Sequence, residues 1–310
     1  MKVAFLFPGQ GSQRPGMLHD LPAHRAIAET LEEASTILGR DVLRIDTKEA
    51  SVSTVNVQLL LLISGVAVIR ALLEEEAEPD LAAGLSVGAF GAAVTVGVLK
   101  FREALQFVQL RGQLMENAYP QGYGMAAIVG LDESRLNSMV QETSSDSAPV
   151  YVSSLNSPRQ IVVSGADSGL ELIIERARSA GATKAERLNV RVPSHCELLN
   201  FAAEELERAM ASAPINRPRI PYIANYRGRA LREPEAVRDD LAKNMSRPVR
   251  WHDGTEIMFE LGARLFVELP PGRVLTRLAA EAFPEARAVA CDGMRLDSVA
   301  ELVRRTTDSR

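Results

Sequence analysis

The chain has 310 residues, 46% of them apolar and 24% charged, with a formal net charge of −5. That length allows one large domain, or a large domain carrying a smaller insert, with a sizeable buried core. The mild acidity gives no electrostatic reason to expect nucleic acid or an anionic membrane surface as a partner, although a few well-placed arginines would still bind an anionic substrate.

Lys2 to Phe7 is a continuous apolar run ended by Pro8-Gly9, which predicts a strand buried on both faces. No small-residue cleavage site follows a long apolar region there, so the run is not read as a secretory signal. Leu21 to Leu38 has helical periodicity and closes at Gly39. Val55 to Glu76 reads as a long, nearly all-apolar core helix. Its apolar stretch, Leu59 to Leu73, is interrupted by Ser64, Gly65 and Arg70 and is expected to be too short to span a bilayer. A short strand follows at Asp80 to Leu85, then a small-residue helix over Val87 to Val98 and another helix over Phe101 to Tyr119.

From Gly124 the texture changes. Met125–Gly130, Val150–Leu155, Gln160–Gly165 and Lys184–Val192 read as strands, with helices at Glu133–Thr143 and Ser168–Ala180. This β-α-β-β-α-β order predicts a ferredoxin-like insert. Helices follow at Glu197–Ala211, Ala236–Met245 and Asp253–Leu261, with strands at Tyr222–Ala224 and Leu265–Leu269, the latter expected to be the last of the core. The final ten or so residues are polar and expected to fray. Two cysteines, Cys196 and Cys291, form no zinc-like spacing with histidine. Free thiols, a cytoplasmic location and no metal are expected.

Gly84-Leu85-Ser86-Val87-Gly88 stands between a strand and a small-residue helix. This G-x-S-x-G pattern is a nucleophile elbow: the glycines permit a tight turn that exposes the Ser86 hydroxyl at a helix N-terminus. The Val87 N–H is then a candidate oxyanion donor. A Gly-rich turn bearing a serine for no chemical reason fits the same five residues. The base must come from His19, His24, His195 or His252. His195, in Val192-Pro193-Ser194-His195-Cys196, sits where the insert returns to the core and is the preferred candidate. His19 and His24 flank the start of the first helix, and His252 suits a cap or surface role. Asp132, Asp146 and Asp167 precede His195 but fall in loops or caps of the insert, so a carbonyl is the alternative partner for the imidazole. Pro8-Gly9-Gln10-Gly11-Ser12-Gln13 is either a plain turn or a second backbone-donor loop.

Six ordered motifs give the chain a family resemblance: Phe7-Pro8-Gly9-Gln10-Gly11-Ser12-Gln13, Gly84–Gly88, Leu110-Arg111-Gly112, Asn156-Ser157-Pro158-Arg159-Gln160, Pro193-Ser194-His195-Cys196 and Pro248-Val249-Arg250-Trp251. Over about residues 3–280 it resembles malonyl-CoA:acyl carrier protein transacylases. The resemblance implies an α/β fold with an α/β-hydrolase-like core (residues 1–123 and 193–310) and an inserted ferredoxin-like subdomain (residues 124–192). It implies a Ser86–His195 dyad, with His195 held by the backbone carbonyl of Asn244. The oxyanion hole would be the N–H groups of Gln10 and Val87, and Arg111 would pair with the malonyl carboxylate, a role for which a guanidinium fork is suited. From sequence alone Arg111 is equally well a surface helix charge.

Leu85 stands where housekeeping members usually carry His, and Pro270-Pro271-Gly272-Arg273 where they carry Gly-Pro-Gly-Lys. With Gln13–Leu18, Gly88-Ala89-Phe90 and Val267–Gly272, these features are most similar to the epsilon subunit of bacterial malonate decarboxylase. The expected partners are therefore malonyl-CoA and a carrier subunit bearing a phosphoribosyl-dephospho-CoA thiol, with no separate cofactor. The alternatives are a housekeeping transacylase acting on a phosphopantetheine thiol, and, from another class, a serine esterase or thioesterase.

Overall fold

The computed structural model describes residues 1–308. Among the described residues ten strands follow in chain order: β1 (Lys2–Phe7), β2 (Leu81–Gly84), β3 (Tyr123–Val129), β4 (Val150–Ser157), β5 (Gln160–Ala166), β6 (Lys184–Arg187), β7 (Tyr222–Ile223), β8 (Ala230–Leu231), β9 (Ala263–Glu268) and β10 (Arg287–Ala290). They form two sheets. The first has the order β10-β9-β1-β2-β7-β8 and is parallel except for the β7–β8 pair at its edge. β1 is buried on both faces beyond Lys2, as its unbroken apolar run requires. The register pairs Phe7 with Gly84, so the loops leaving β1 and β2 emerge side by side at the carboxyl ends of the strands. That edge of a parallel sheet is where ligands usually bind.

Helix Thr54–Glu74 packs against the sheet with every residue from Val57 to Ile69 buried. At 21 residues it is long and apolar enough to cross a membrane, contrary to the length expectation from Leu59–Leu73, yet it is a core helix here. Ser64 stays satisfied inside it by donating to the carbonyls of Leu61 and Pro270.

The second sheet is antiparallel, in the order β4-β5-β3-β6. Helices Glu133–Thr143 and Asp167–Ser179 bury Leu136, Val140, Leu170, Ile173 and Ala177 against Ala126, Ile128, Ile161 and Val163, a core separate from that of the first sheet. The β-α-β-β-α-β order is the expected one. Leu155 N–H donates to Val249 O and Val249 N–H to Ser153 O, while Ser164 Oγ donates to Ser194 O, which ties this sheet to the segments carrying His195 and Asn244.

Several expectations need correction. The first helix spans Arg25–Leu38, not Leu21 onward, because His24 caps it by accepting from Ala26 N–H. β6 stops at Arg187, where its pairing with β3 ends, and does not reach Val192. β9 is not the last core strand, since β10 adds at its edge; the mixed Arg287–Ala290 segment carries little strand signal. The carboxyl-terminal segment is not frayed as far as it is described: Leu296–Asp308 is a helix that buries Val299, Ala300 and Val303. Those residues sit at helical spacing, but the polar residues between them obscure the stripe.

Candidate active site

The turn after β2 forces Ser86 into the left-handed region, φ +56°. Two close approaches make the flanking glycines necessary. A Cβ on Gly84 would lie 2.0 Å from the Gly88 backbone, and one on Gly88 would lie 2.2 Å from Phe7 O. Helix Gly88–Thr95 starts immediately behind the serine, with Val87 as its cap residue. Neither the Val87 nor the Gln10 N–H donates to another group among the described residues. Gly9 lies against the Leu85 carbonyl, so the β1 loop that carries Gln10 packs on the elbow.

His195 also adopts a left-handed backbone, φ +64°, and its N–H donates to Met245 O at 2.7 Å. Its Nε2 is 2.8 Å from Ser86 Oγ and its Nδ1 is 2.5 Å from Asn244 O. A carbonyl can only accept, so Nδ1 carries the proton and Nε2 is left as the acceptor facing the serine hydroxyl. Asn244 is the C-cap of helix Pro234–Lys243. Its carbonyl is one of the groups a helix end leaves free, and it bears the negative end of the helix dipole. This explains how an imidazole is oriented here without a carboxylate.

Arg111 projects from helix Phe101–Ala118 and is only 1% exposed. Its Nη1 donates to Gln58 Oε1 at 2.6 Å, and its Nη2 reaches both Ser86 Oγ at 3.1 Å and Asn244 Oδ1 at 3.2 Å. Its Nε has no partner, and no carboxylate pairs with the guanidinium among the described residues. Burial lowers its pKa to about 9, which leaves it cationic at neutral pH. A buried cation without a counter-ion is costly, and nothing among the described residues neutralises this one.

Burial, and then the Arg111 cation, push the His195 pKa down to about 4. The imidazole is therefore neutral at pH 7 and able to take the Ser86 proton. If this histidine is the base, its protonation as pH falls removes activity only below its lowered pKa. The kcat/KM for the acyl donor is thus expected to stay flat from pH 7 to about 5 and to fall tenfold per unit below about 4. An acid limb near 6.5, measured as kcat/KM in the first half-reaction, contradicts this environment for His195.

The other sequence candidates lie elsewhere. His19 Nδ1 is 3.0 Å from Asp46 Oδ2, His24 caps a helix, and His252 Nε2 is 3.3 Å from Glu256 Oε1. Asp132 caps helix Glu133–Thr143, Asp167 pairs with Arg187, and Asp146 is exposed in a turn. Among the described residues, no group of three or more His, Cys, Asp or Glu side chains is placed to hold a metal ion.

Three residues at the site escape sequence reasoning. Gln58 holds Arg111, and its one signal is being an amide that interrupts the apolar run from Val57 to Ile63. Asn225 brackets the elbow: its Oδ1 accepts from Ser86 N–H and its Nδ2 donates to Gly84 O, both at 2.8 Å. Asp240, wholly buried, accepts from Tyr222 Oη and from the N–H groups of Asn225 and Tyr226. Nothing in the local sequence marks the last two.

Residues 4–309 match the acyl transferase domain family. The chain is 37% identical over 296 residues to the malonyl CoA-acyl carrier protein transacylase of Haemophilus influenzae, covering 93% of this chain and 94% of that protein. It is 36% identical over 283 residues to the transacylase of the same name from Bacillus subtilis, covering 89% of each. Among solved structures, an acyl-carrier-protein S-malonyltransferase from Burkholderia pseudomallei superposes with a TM-score of 0.92 at 34% identity, covering 97% of this chain and all of that one. A malonyl-transacylase in complex with its holo type II PKS acyl-carrier protein gives 0.92 at 35% identity, covering 97% and 99%. These relatives bear out the transacylase resemblance. They are named for acyl carrier protein, so the finer likeness to a malonate decarboxylase subunit has no support from them.

Proposed function

This chain belongs to the acyl transferase domain family, and on that premise we propose that it moves malonyl from malonyl-CoA to the thiol of an acyl carrier protein through a malonyl-serine. One observation carries the choice of acyl group: a buried Arg111, with no carboxylate partner among the described residues, lies 3.1 Å from Ser86 Oγ. An acyl chain ending in a carboxylate supplies the missing charge within reach of the nucleophile; an acetyl group supplies nothing. A plain esterase has no use for that cation.

In this reading Ser86 Oγ attacks the thioester carbonyl while its proton passes to His195 Nε2. The negative oxygen is held by the N–H groups of Gln10 and Val87. The carbon–sulfur bond then breaks and the CoA sulfur leaves with the proton from Nε2. The carrier thiol repeats the sequence in reverse, giving its proton to Nε2, taking the malonyl group and returning the proton to Ser86. Asn244 O keeps the imidazole in the required tautomer throughout. The elbow after β2 supports describing residues 1–123 and 193–310 as an α/β-hydrolase-like core, with 124–192 as the smaller unit. Two free, buried thiols suit a reducing cytoplasm.

For the acceptor, the names of the relatives favour a general acyl carrier protein with a phosphopantetheine thiol over the decarboxylase carrier. The second reading, a malonate decarboxylase subunit acting on a phosphoribosyl-dephospho-CoA thiol, rests on Leu85 before the nucleophile and on Pro270-Pro271-Gly272-Arg273. Malonyl transfer to the two carriers side by side separates them. The expected result is faster transfer to the fatty-acid carrier, and transfer confined to the decarboxylase carrier reverses the order of the readings.

A further inference from the structure

The elbow holds Ser86 in the left-handed backbone region, φ +56°, which disfavours a non-glycine residue, so something around it must impose that shape. Asn225 is placed to do so. Its carboxamide spans the turn, accepting from the N–H of Ser86 and donating to the carbonyl of Gly84 two residues earlier. The partners fix which end is which, because an N–H only donates and a carbonyl only accepts. Asn225 is itself pinned on both sides: its N–H donates to Asp240 Oδ2 at 3.1 Å, and its carbonyl accepts from Arg250 N–H at 2.8 Å. Asp240 also takes the Tyr222 hydroxyl at 2.7 Å and the Tyr226 N–H at 3.3 Å, so one buried carboxylate grips the whole 222–226 segment.

We propose that Asn225, anchored from behind by Asp240, is a positioning residue for acyl transfer: its carboxamide sets the Ser86 peptide so that the hydroxyl meets His195 and the next amide, that of Val87, meets the oxyanion. This rests on the acyl-serine reading above. Asn225 touches no reacting atom and acts only through the backbone it braces. The device needs a donor and an acceptor on one short side chain, which leucine lacks entirely. An ionised aspartate keeps the acceptor and lacks the donor. A protonated aspartate has both.

The test is single-turnover acylation by malonyl-CoA, followed by intact mass, for the wild type, Asn225→Leu and Asn225→Asp, each checked for a cooperative thermal melt. Asn225→Leu is expected to acylate about 100-fold more slowly, with the half-saturating malonyl-CoA concentration within about threefold of wild type, because placement fails and binding does not. Asn225→Asp is expected to be slow at about pH 8 and to recover toward wild type at about pH 5.5, as its carboxyl regains the proton that donates to Gly84 O. Rates are taken relative to wild type at the same pH, because other groups surround the position. Asp240, Tyr222 and Tyr226 adjoin its backbone; His195 and Arg111 face it across Ser86; the Arg250 guanidinium is held by Glu133 and Asp253.

Acylation of either folded variant within threefold of wild type at every pH overturns the proposal. So does an Asn225→Asp defect that does not respond to pH, and the aspartate variant alone decides the matter if Asn225→Leu fails to fold. A wild type that forms no adduct overturns the acyl-serine reading itself and takes the inference with it, a result distinct from failure of the variants alone.

Discussion

Arg111→Ala is expected to lower kcat/KM for malonyl-CoA by about 10³-fold, since removing one partner of a buried charge pair costs about 3–5 kcal/mol. The physical reason is the isolation of the guanidinium. It is buried, its only partners among the described residues are neutral groups of Gln58, Ser86 and Asn244, and its charge persists at neutral pH. Without it the malonyl carboxylate enters the site unpaired. Acetyl-CoA has no such group, so its slow reaction is expected to change little and the preference for malonyl to collapse. Arg111→Lys restores a charge but neither the fork nor the Gln58 and Asn244 bonds, and is expected to recover only part of the loss. Rates with the two acyl-CoAs, compared for each variant, check this. An unchanged malonyl preference in Arg111→Ala assigns the arginine a purely structural place.

Ser86→Ala is expected to reduce malonyl transfer by about 10⁴- to 10⁶-fold, the range for deleting a nucleophile that works as a unit with its base. Alanine keeps the same backbone demands as serine at this turn, so the fold is expected to persist and the melting temperature to change little. His195→Ala removes the proton acceptor at the same point, and losses at the two positions are not expected to add. Steady-state transfer by the single and double variants reads this out; losses that multiply contradict a serine and histidine acting together.

The parts of the site that are legible in the sequence are those fixed by local backbone chemistry. Gly84 and Gly88 announce a turn that only glycine tolerates, and Ser86 between them has a defined exposure. The unbroken run Lys2–Phe7 announces a buried strand, and its pairing with β2 brings the Gln10 loop to the elbow. His195 stands out among the histidines because it falls at the seam between the two sheets, where it meets Ser86. Asn225, Asp240 and Gln58 are not legible. Each acts across a separation of 14 to 141 residues, through contacts that only the folded topology creates. The helix at Leu296–Asp308 is hidden for a different reason: three small or medium apolar residues on one face are outweighed by the polar residues around them. The long helix at Thr54–Glu74 shows the converse. Its composition passes for a membrane span, and only its burial against the sheet and the flanking helices places it in a core.

Transfer by way of the dyad requires a covalent malonyl group at Ser86. Intact mass of the wild-type protein mixed with malonyl-CoA in the absence of any carrier, followed by peptide mapping, is the most direct reading. The expected result is one malonyl group, on the peptide containing Ser86, absent from Ser86→Ala and discharged when a carrier thiol is added. A folded protein that transfers malonyl to a carrier without ever showing that adduct, or that carries it on another residue, contradicts the mechanism.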